Sequence, residues 1–391
     1  MNENCAKRSG SVLPLVAVSL TLIMAMLVMA IDLGWMYLAK NELQNAADAA
    51  ALAGAVELID EDFLSGSSYQ ADDVSACRDS AETFAGYNTA AKRNLLLDRN
   101  DLNDPEGGIV VGYIEDPLDF SSTLQTDSLQ EDNSVRVRTE LAETINGPLA
   151  LFFASVFGKQ TIEVGANATA TVDDRIVGFA VASDKTLPLL PFTVNVDLWD
   201  DGYPGDPIGA SFFPAFGFHL LKLLSSQSCH WTSGVLKLYP NFPGESGNFG
   251  TLDIGPSNNS TADLMRQIRD GVTGADLDAI GGLVLTDDGT GVFSKWLQAD
   301  TGVSTAIGKS VKDIIGESRV IPLHRNYVGS GNNLEYEVVR FAGVKVVNVK
   351  MTGALEYRHI DVVPAQVVTQ YGMIHPDAPG SNLVYSLALT R

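Results

Sequence analysis

The chain has 391 residues, and 26 Lys and Arg against 48 Asp and Glu leave a formal net charge of −22. This excess of negative charge disfavours nucleic acid as a partner and excludes a strongly basic nucleic-acid-binding domain. Hydrophobic residues make up 45% of the chain, which excludes wholesale disorder. The 3 Cys are too few for a disulfide-dense scaffold or a four-thiolate metal site.

The first predicted element is a membrane-spanning helix at residues 12–31. This stretch holds no charged side chain, and at about 1.5 Å per residue it matches the roughly 30 Å core of a bilayer. Lys7 and Arg8 precede the span and Asp32 follows it. The positive-inside rule therefore places residues 1–11 in the cytosol and the acidic remainder outside the cytoplasm.

A cleavable secretion signal is the alternative interpretation of this segment. Val28, Met29 and Ala30 resemble a cleavage site. Against cleavage, the apolar run is longer than a usual signal core, and no turn-forming break separates it from the next helical stretch. We therefore favour a retained single-pass membrane anchor.

The helical pattern continues past the bilayer, so we predict one long helix over residues 12–60. Its extracytoplasmic part carries mostly small side chains at alternating spacings of three and four, which we call the seam. Small residues allow a second helix to approach closely, so the seam is a candidate site of helix packing. A helix that packs only on its own domain is the alternative. The seam consists of Met36, Ala39, Leu43, Ala46, Ala50 and Ala53.

Sequence strings beyond the apolar span carry a family resemblance. Residues 31–38 read IDLGWMYL, and residues 43–55 read LQNAADAAALAGA. With the span, they resemble the TadG-like N-terminal domain of tight-adherence (Flp) pilus-assembly proteins. The resemblance implies a structural inner-membrane protein with a periplasmic body. Its implied partners are pilin-like or other tight-adherence assembly proteins and, through residues 12–31, the lipid bilayer, and the protein is a candidate oligomer.

Residues 61–175 are predicted to form a pilin-like α+β unit outside the cytoplasm. One helix is predicted around residues 79–91, and Val135 and Val137 alternate with polar residues as in a half-buried strand. The stretch Pro148–Phe157 begins with Pro and is followed by Gly. A Pro at the start and a Gly after the end predict a short apolar helix whose Phe side chains pack on the sheet.

Residues 176–391 are predicted to form a β-rich extracytoplasmic domain. Short β-branched runs alternate with clusters of Gly, Pro and Asp, a pattern typical of a β sandwich or barrel. The predicted fold class of the whole chain is therefore α+β: a long N-terminal helix, a helix-plus-antiparallel-sheet unit and a β-rich, sandwich-like C-terminal domain.

The sequence contains no motif that points to a cofactor. The stretch Gly302–Ser310 has one residue too many between its glycines for a phosphate-binding loop, and none of the 5 His form an i, i+4 pair. We therefore predict no catalytic residue, no metal site and no enzymatic activity. The alternative function is a membrane-tethered, exported β-rich ligand-binding module or enzyme of unknown substrate.

Cys77 and Cys229 both lie in the predicted extracytoplasmic part. In an oxidising compartment they are a candidate disulfide, which would join the two exported units. Two free or intermolecular thiols are the alternative. A bond requires Cα atoms within about 7 Å of each other, and sequence spacing leaves that distance open.

Overall fold

A computed structural model of the chain has a long N-terminal helix, a smaller helix and then many strands in several sheets. The predicted α+β class with a β-rich C-terminal region is confirmed. The structure describes residues 12–59, 71–119, 121–154, 158–202, 230–239, 248–256, 260–287, 289–300, 304–353, 357–381 and 383–390.

Helix α1 runs from Val12 to Val56 as one element, and helix α2 runs from Ala71 to Gly86 beside it. The helix predicted around residues 79–91 thus begins and ends earlier. The two helices approach closely at Gly54, where an added Cβ atom would lie 3.1 Å from the carbonyl oxygen of Cys77. Within the described residues, four shorter α-helices follow: α3 (Val196–Gly202), α4 (Thr261–Asp270), α5 (Gly274–Ala279) and α6 (Gly308–Asp313).

The strands of the described residues are numbered in chain order, and many of them have only two to four residues. They are β1 (Thr89–Ala90), β2 (Arg93–Asn94), β3 (Ile109–Gly112), β4 (Ser134–Leu141), β5 (Leu149–Ala150), β6 (Thr161–Ile162), β7 (Val164–Asp173), β8 (Ile176–Phe179), β9 (Thr186–Leu187), β10 (Phe192–Asn195), β11 (Trp231–Thr232), β12 (Val235–Leu238), β13 (Phe249–Leu252), β14 (Val272–Thr273), β15 (Leu283–Val284), β16 (Thr286–Asp287), β17 (Phe293–Asp300), β18 (Ser318–Val328), β19 (Leu334–Lys350), β20 (His359–Pro364), β21 (Val367–Thr369), β22 (Gly372–Ile374) and β23 (Val384–Leu389).

Helix α1 packs on a five-stranded sheet with the order β21-β23-β7-β4-β3. The pairs within it are antiparallel, except that β21 and β23 run parallel. Strands β21 and β23 lie in the predicted range 176–391, yet they complete the sheet that begins in the range 61–175. The end of the chain therefore returns to the sheet that α1 covers, and β23 pairs with an edge of β7 that would otherwise expose unpaired backbone groups.

In the part of the chain that the structure describes, the largest sheet has nine strands, and five of them form a closed circuit. The first part of β19 pairs with β17 on one side and with β18 on the other. Strand β10 then joins β18 to β13, and β13 joins β17, which closes the circuit. Closure removes exposed strand edges. This part of the C-terminal region therefore has the pairing of a barrel, one of the two architectures that its sequence predicts.

Close packing inside this circuit requires a glycine at position 250. An added Cβ atom there would overlap the ring of Tyr336. The Tyr336 hydroxyl donates a hydrogen bond to the carbonyl oxygen of Phe249 at 3.1 Å. A second buried polar pair joins Thr193 Oγ1 and His324 Nδ1 at 2.9 Å. The circuit thus has a filled interior in which these polar groups find partners within the protein.

The stretch after Pro148 differs from the predicted apolar helix. Leu149–Ala150 forms strand β5, which pairs with β6, and the chain then turns through Leu151–Ala154. Tertiary contacts override the local helical preference here, because β6 and a carboxylate of α1 bind the backbone groups of this stretch. The rest of the predicted helix, residues 155–157, lies outside the described residues.

Candidate membrane-exit site

The N-terminal half of α1 is apolar and has no cover from the described part of the chain. It contains the one stretch in the described residues that is long and apolar enough to cross a membrane, and none of that stretch is buried. Large side chains such as Leu13 and Met26 are exposed. Hydrocarbon chains are the environment that suits such a surface, and a helix satisfies its own backbone groups there. This half of α1 therefore indicates a single-pass membrane anchor.

Asp32, directly after the apolar span, is the first buried residue of α1, with an exposed fraction of 5%. Its carboxylate accepts hydrogen bonds from the backbone N–H groups of Phe152 (2.9 Å), Phe153 (3.1 Å) and Ala154 (2.7 Å). Burial by itself raises the pKa of this carboxyl, but the three backbone hydrogen bonds outweigh burial and lower it. An ionised Asp32 therefore holds the turn Leu151–Ala154 against the helix.

Two aromatic side chains contact each other beside this carboxylate. The ring centroids of Trp35 and Phe152 lie 5.7 Å apart, within the usual range for an aromatic pair. Phe152 is 59% exposed, and Tyr37, one residue past Met36, is 69% exposed. Aromatic residues are enriched where proteins cross the boundary between membrane and water. We call Asp32, Trp35 and the turn Leu151–Ala154 the exit site.

Beyond the exit site, α1 lies on the five-stranded sheet through its small side chains. Ala39 and Leu43 are buried together with Leu141 of β4, and farther along the helix Ala50 is buried with Val135 of the same strand. Alanines on a helix let its backbone come close to the sheet. The platform for this half of α1 is thus the protein's own sheet.

Polar groups fix the position of the helix on that sheet. The Thr139 hydroxyl donates to the carbonyl oxygen of Leu43 at 2.9 Å, in a buried environment. The Gln44 side-chain amide donates to the carbonyl oxygen of Asn167, also at 2.9 Å. These two bonds connect α1 to β4 and β7, so they specify the register of the helix on the sheet as well as its distance.

The structure places the predicted seam on this internal face. Its two partly buried members are Met36 and Ala53, and the other four, which are completely buried, are Ala39, Leu43, Ala46 and Ala50. The contacts of these four are those of a helix that packs on its own domain. A role of the seam in binding a second protein stays a prediction.

A different set of α1 residues faces away from the sheet. We call it the outer stripe. Its first members follow each other at spacings of four, so they lie along one side of the helix next to the end of the span. The outer stripe consists of Leu33, Tyr37, Asn41, Asn45 and Val56, all exposed.

Sequence reasoning used Asp32 to mark the end of the span and missed its role as an acceptor. A signal was present, because Asp32 lies one heptad before Ala39 and is therefore in phase with the seam. A carboxylate in phase with buried positions is rarely left without hydrogen-bond donors. The identity of the donors, a turn more than a hundred residues away, has no local sequence signal.

The candidate disulfide between Cys77 and Cys229 stays a prediction, because Cys229 lies outside the described residues. Cys77 is completely buried in α2 and lies against Gly54 of α1. Burial raises the pKa of its thiol to about 12, so at neutral pH this thiol is protonated and a poor nucleophile.

Other chemical groups of the described residues do not assemble into a metal site. Within the ranges given above, no group of three or more His, Cys, Asp or Glu side chains could hold a metal ion. An acidic surface loop lines an open pocket, but its carboxylates bind the loop's own backbone: Asp98 accepts from the N–H of Asn100 at 3.1 Å, and Asp104 accepts from that of Glu106 at 2.9 Å. The predicted absence of enzymatic activity stays a prediction.

The exposed apolar half-helix, its exit site and the sheet beneath its second half define an α+β protein with a candidate single-pass membrane anchor at the N-terminal end of α1. Residues 10–57 match the family Tad, described as putative Flp pilus-assembly TadE/G-like. The match covers the whole of α1 and confirms the resemblance carried by residues 31–55. It supports a role related to pilus assembly. No curated protein and no solved structure matches the chain significantly.

Proposed function

We propose that the protein is a structural component of a tight-adherence, Flp-type pilus or secretion assembly, fixed in the inner membrane and acting by protein–protein association. The observation that carries this proposal is the Tad match over residues 10–57, together with the exposed apolar span inside the same range. Lys7 and Arg8 before the span favour a cytosolic N-terminus, and the acidic body after it favours a periplasmic location.

The sides of α1 indicate where a partner would bind. The side with the seam is covered by the sheet, so a pilin-like partner helix is expected on the apolar span and on the outer stripe. Leu33 and Tyr37 continue the apolar surface of the span into the periplasm, whereas Asn41 and Asn45 offer amide groups that can pair with a partner's polar side chains. This division gives α1 an internal face and an external face.

Site-specific photo-crosslinking in cells tests the proposal. A photoreactive amino acid at Tyr37 or Asn45 is expected to capture another pilus-assembly protein, and this product is expected to disappear when the assembly genes are deleted. The same amino acid at Leu129, an exposed residue outside α1, is the matched control. Products that persist without the assembly genes, or that form equally from Leu129, would contradict a role of α1 in assembly.

A further inference from the structure

The position of the turn Leu151–Ala154 along α1 is set by Asp32. Three consecutive backbone N–H groups of the turn bind that carboxylate at 2.7–3.1 Å. Asp32 follows the last residue of the apolar span, and one residue advances a helix by only about 1.5 Å. If the span crosses the bilayer as proposed above, the turn lies at the level where the hydrocarbon core ends.

The side chains at this level match the chemistry of that boundary. Phe152 presents more than half of its surface to the outside, and its ring contacts Trp35, which lies about one helical turn beyond the span. After the turn, the exposed Lys159 donates its backbone N–H to the carbonyl oxygen of Ala154 at 3.1 Å. Aromatic rings at the headgroup level, with a long cationic side chain close by, are typical of membrane-interface contacts.

We propose that the turn Leu151–Ala154 is a second membrane contact, in which Phe152 inserts into the outer boundary of the bilayer next to the span. The inference rests on the proposed membrane anchoring of α1. The occupant of this surface is lipid because the turn is continuous with the apolar span and stands at its end. The body would then touch the membrane at two places, which fixes its tilt in addition to its distance from the bilayer.

The hydrogen bonds of Asp32 explain why such a turn holds its position. An exposed Phe on a loose loop would lose side-chain and backbone entropy on insertion. Here three N–H groups are already fixed by a buried carboxylate, so the ring is presented to the bilayer at little further cost. Phe152 therefore acts as the contacting side chain, and Asp32 acts as a positioning residue.

Depth-dependent fluorescence quenching tests this contact. The full chain carrying Trp35→Phe and Phe152→Trp is reconstituted into phosphatidylethanolamine–phosphatidylglycerol vesicles whose acyl chains are brominated either near the headgroup or near the methyl end. We expect strong loss of fluorescence with the shallow bromines and much weaker loss with the deep ones, relative to the chain with Trp35→Phe alone.

Leu102→Trp in the same Trp35→Phe background is the matched control. Leu102 is 95% exposed, and its loop is held by Arg78, whose guanidinium donates to the carbonyl oxygen of Arg99 at 2.8 Å. The neighbouring Cys77 contacts Gly54, which lies about 33 Å along the helix from Asp32. The tryptophan introduced at position 102 should therefore show no additional quenching at either depth.

The outcomes separate this inference from the proposed function. If the chain stays in the vesicles after carbonate extraction and the tryptophan introduced at position 152 is not quenched, the second contact is overturned and the anchor stands. If carbonate extracts the chain from the vesicles, the second contact and the proposed membrane anchor are both overturned. If the paired change disturbs the aromatic contact, Phe152→Trp alone, compared with the unchanged chain, gives the same readout. Adding Asp32→Ala should abolish the difference in fluorescence quenching between the shallow and the deep bromines. If that difference persists, Asp32 does not position the turn at the membrane.

Discussion

The two halves of α1 belong to one continuous helix, yet their apolar surfaces have opposite surroundings. From Val12 to Ile31 the apolar residues are mostly large and exposed, whereas from Ala39 to Ala55 they are mostly small and buried. Large apolar side chains present more surface area to hydrocarbon, and the transfer of that area out of water is favourable. Small side chains allow the backbone to approach a sheet. Side-chain size thus distinguishes a surface for lipid from a surface for the protein's own core, where helical periodicity does not.

The largest expected effect comes from placing charge in the exposed apolar half, which is proposed to lie in lipid. Leu20→Arg with Met24→Arg puts two guanidinium groups near the middle of the span, at about 2.5–3.5 kcal/mol each on insertion scales. We expect the chain to move from the carbonate-resistant membrane fraction to the soluble or aggregated fraction, as measured by immunoblotting.

The paired change Leu102→Arg with Leu129→Arg adds the same charge at two exposed leucines outside α1. This control should leave membrane anchoring unchanged. Retention of the span variant in the membrane would show that residues 12–31 do not lie in hydrocarbon, and the contrast between the two halves would then be lost.

A smaller effect is expected from enlarging a side chain in the sheet-facing half. Ala50 is completely buried against the sheet, and Ala50→Leu should lower the free energy of unfolding of the body by about 1–3 kcal/mol through overpacking. Asn45→Leu, at an exposed position of the same helix, should change it by less than about 0.5 kcal/mol. Denaturant unfolding of the full chain in detergent measures both. Equal effects would place Ala50 on a surface rather than in a core.

The third prediction concerns the reactivity of the Cys77 thiol, which reports how tightly α1 and α2 pack without changing that packing. In a chain with Cys5→Ser and Cys229→Ser, the remaining thiol of Cys77 should react with maleimide about 1,000-fold more slowly than an exposed thiol, since its pKa is raised to about 12. The reference is Asn45→Cys in a chain that also carries Cys77→Ala. Comparable rates at pH 8 would mean that the contact between α1 and α2 opens readily.

The elements that the sequence predicted well are those whose signal is local. The span, the continuation of the helix and the strand around Val135 all follow from composition and periodicity over a few turns or a few residues. The surroundings of the seam did not follow, because a partner helix and the protein's own sheet require the same small residues. Only long-range pairing decides between them, and hydrogen bonds such as that from Thr139 to Leu43 belong to such pairing.

The predicted helix from Pro148 to Phe157 illustrates the opposite case. Its start and stop residues and its apolar side chains are typical of a helix. The carboxylate of Asp32, however, binds backbone N–H groups that would otherwise form hydrogen bonds within a helix. The same stretch was expected to pack its Phe side chains on the sheet, and Phe152 is exposed instead. Local propensity fails where a tertiary partner satisfies the backbone first.

The return of β23 to the edge of β7 makes the β-rich region an insertion within the smaller sheet rather than an appendage at its end. The chain leaves the sheet after Asp173 and comes back to pair Ser386 with that same residue. Arg175 reinforces this point of departure by donating to the carbonyl oxygen of Glu115 at 2.7 Å and to that of Pro376. More than one covalent connection therefore carries any mechanical load between the β-rich region and the sheet on which α1 packs, which limits torsion more than a single flexible linker would.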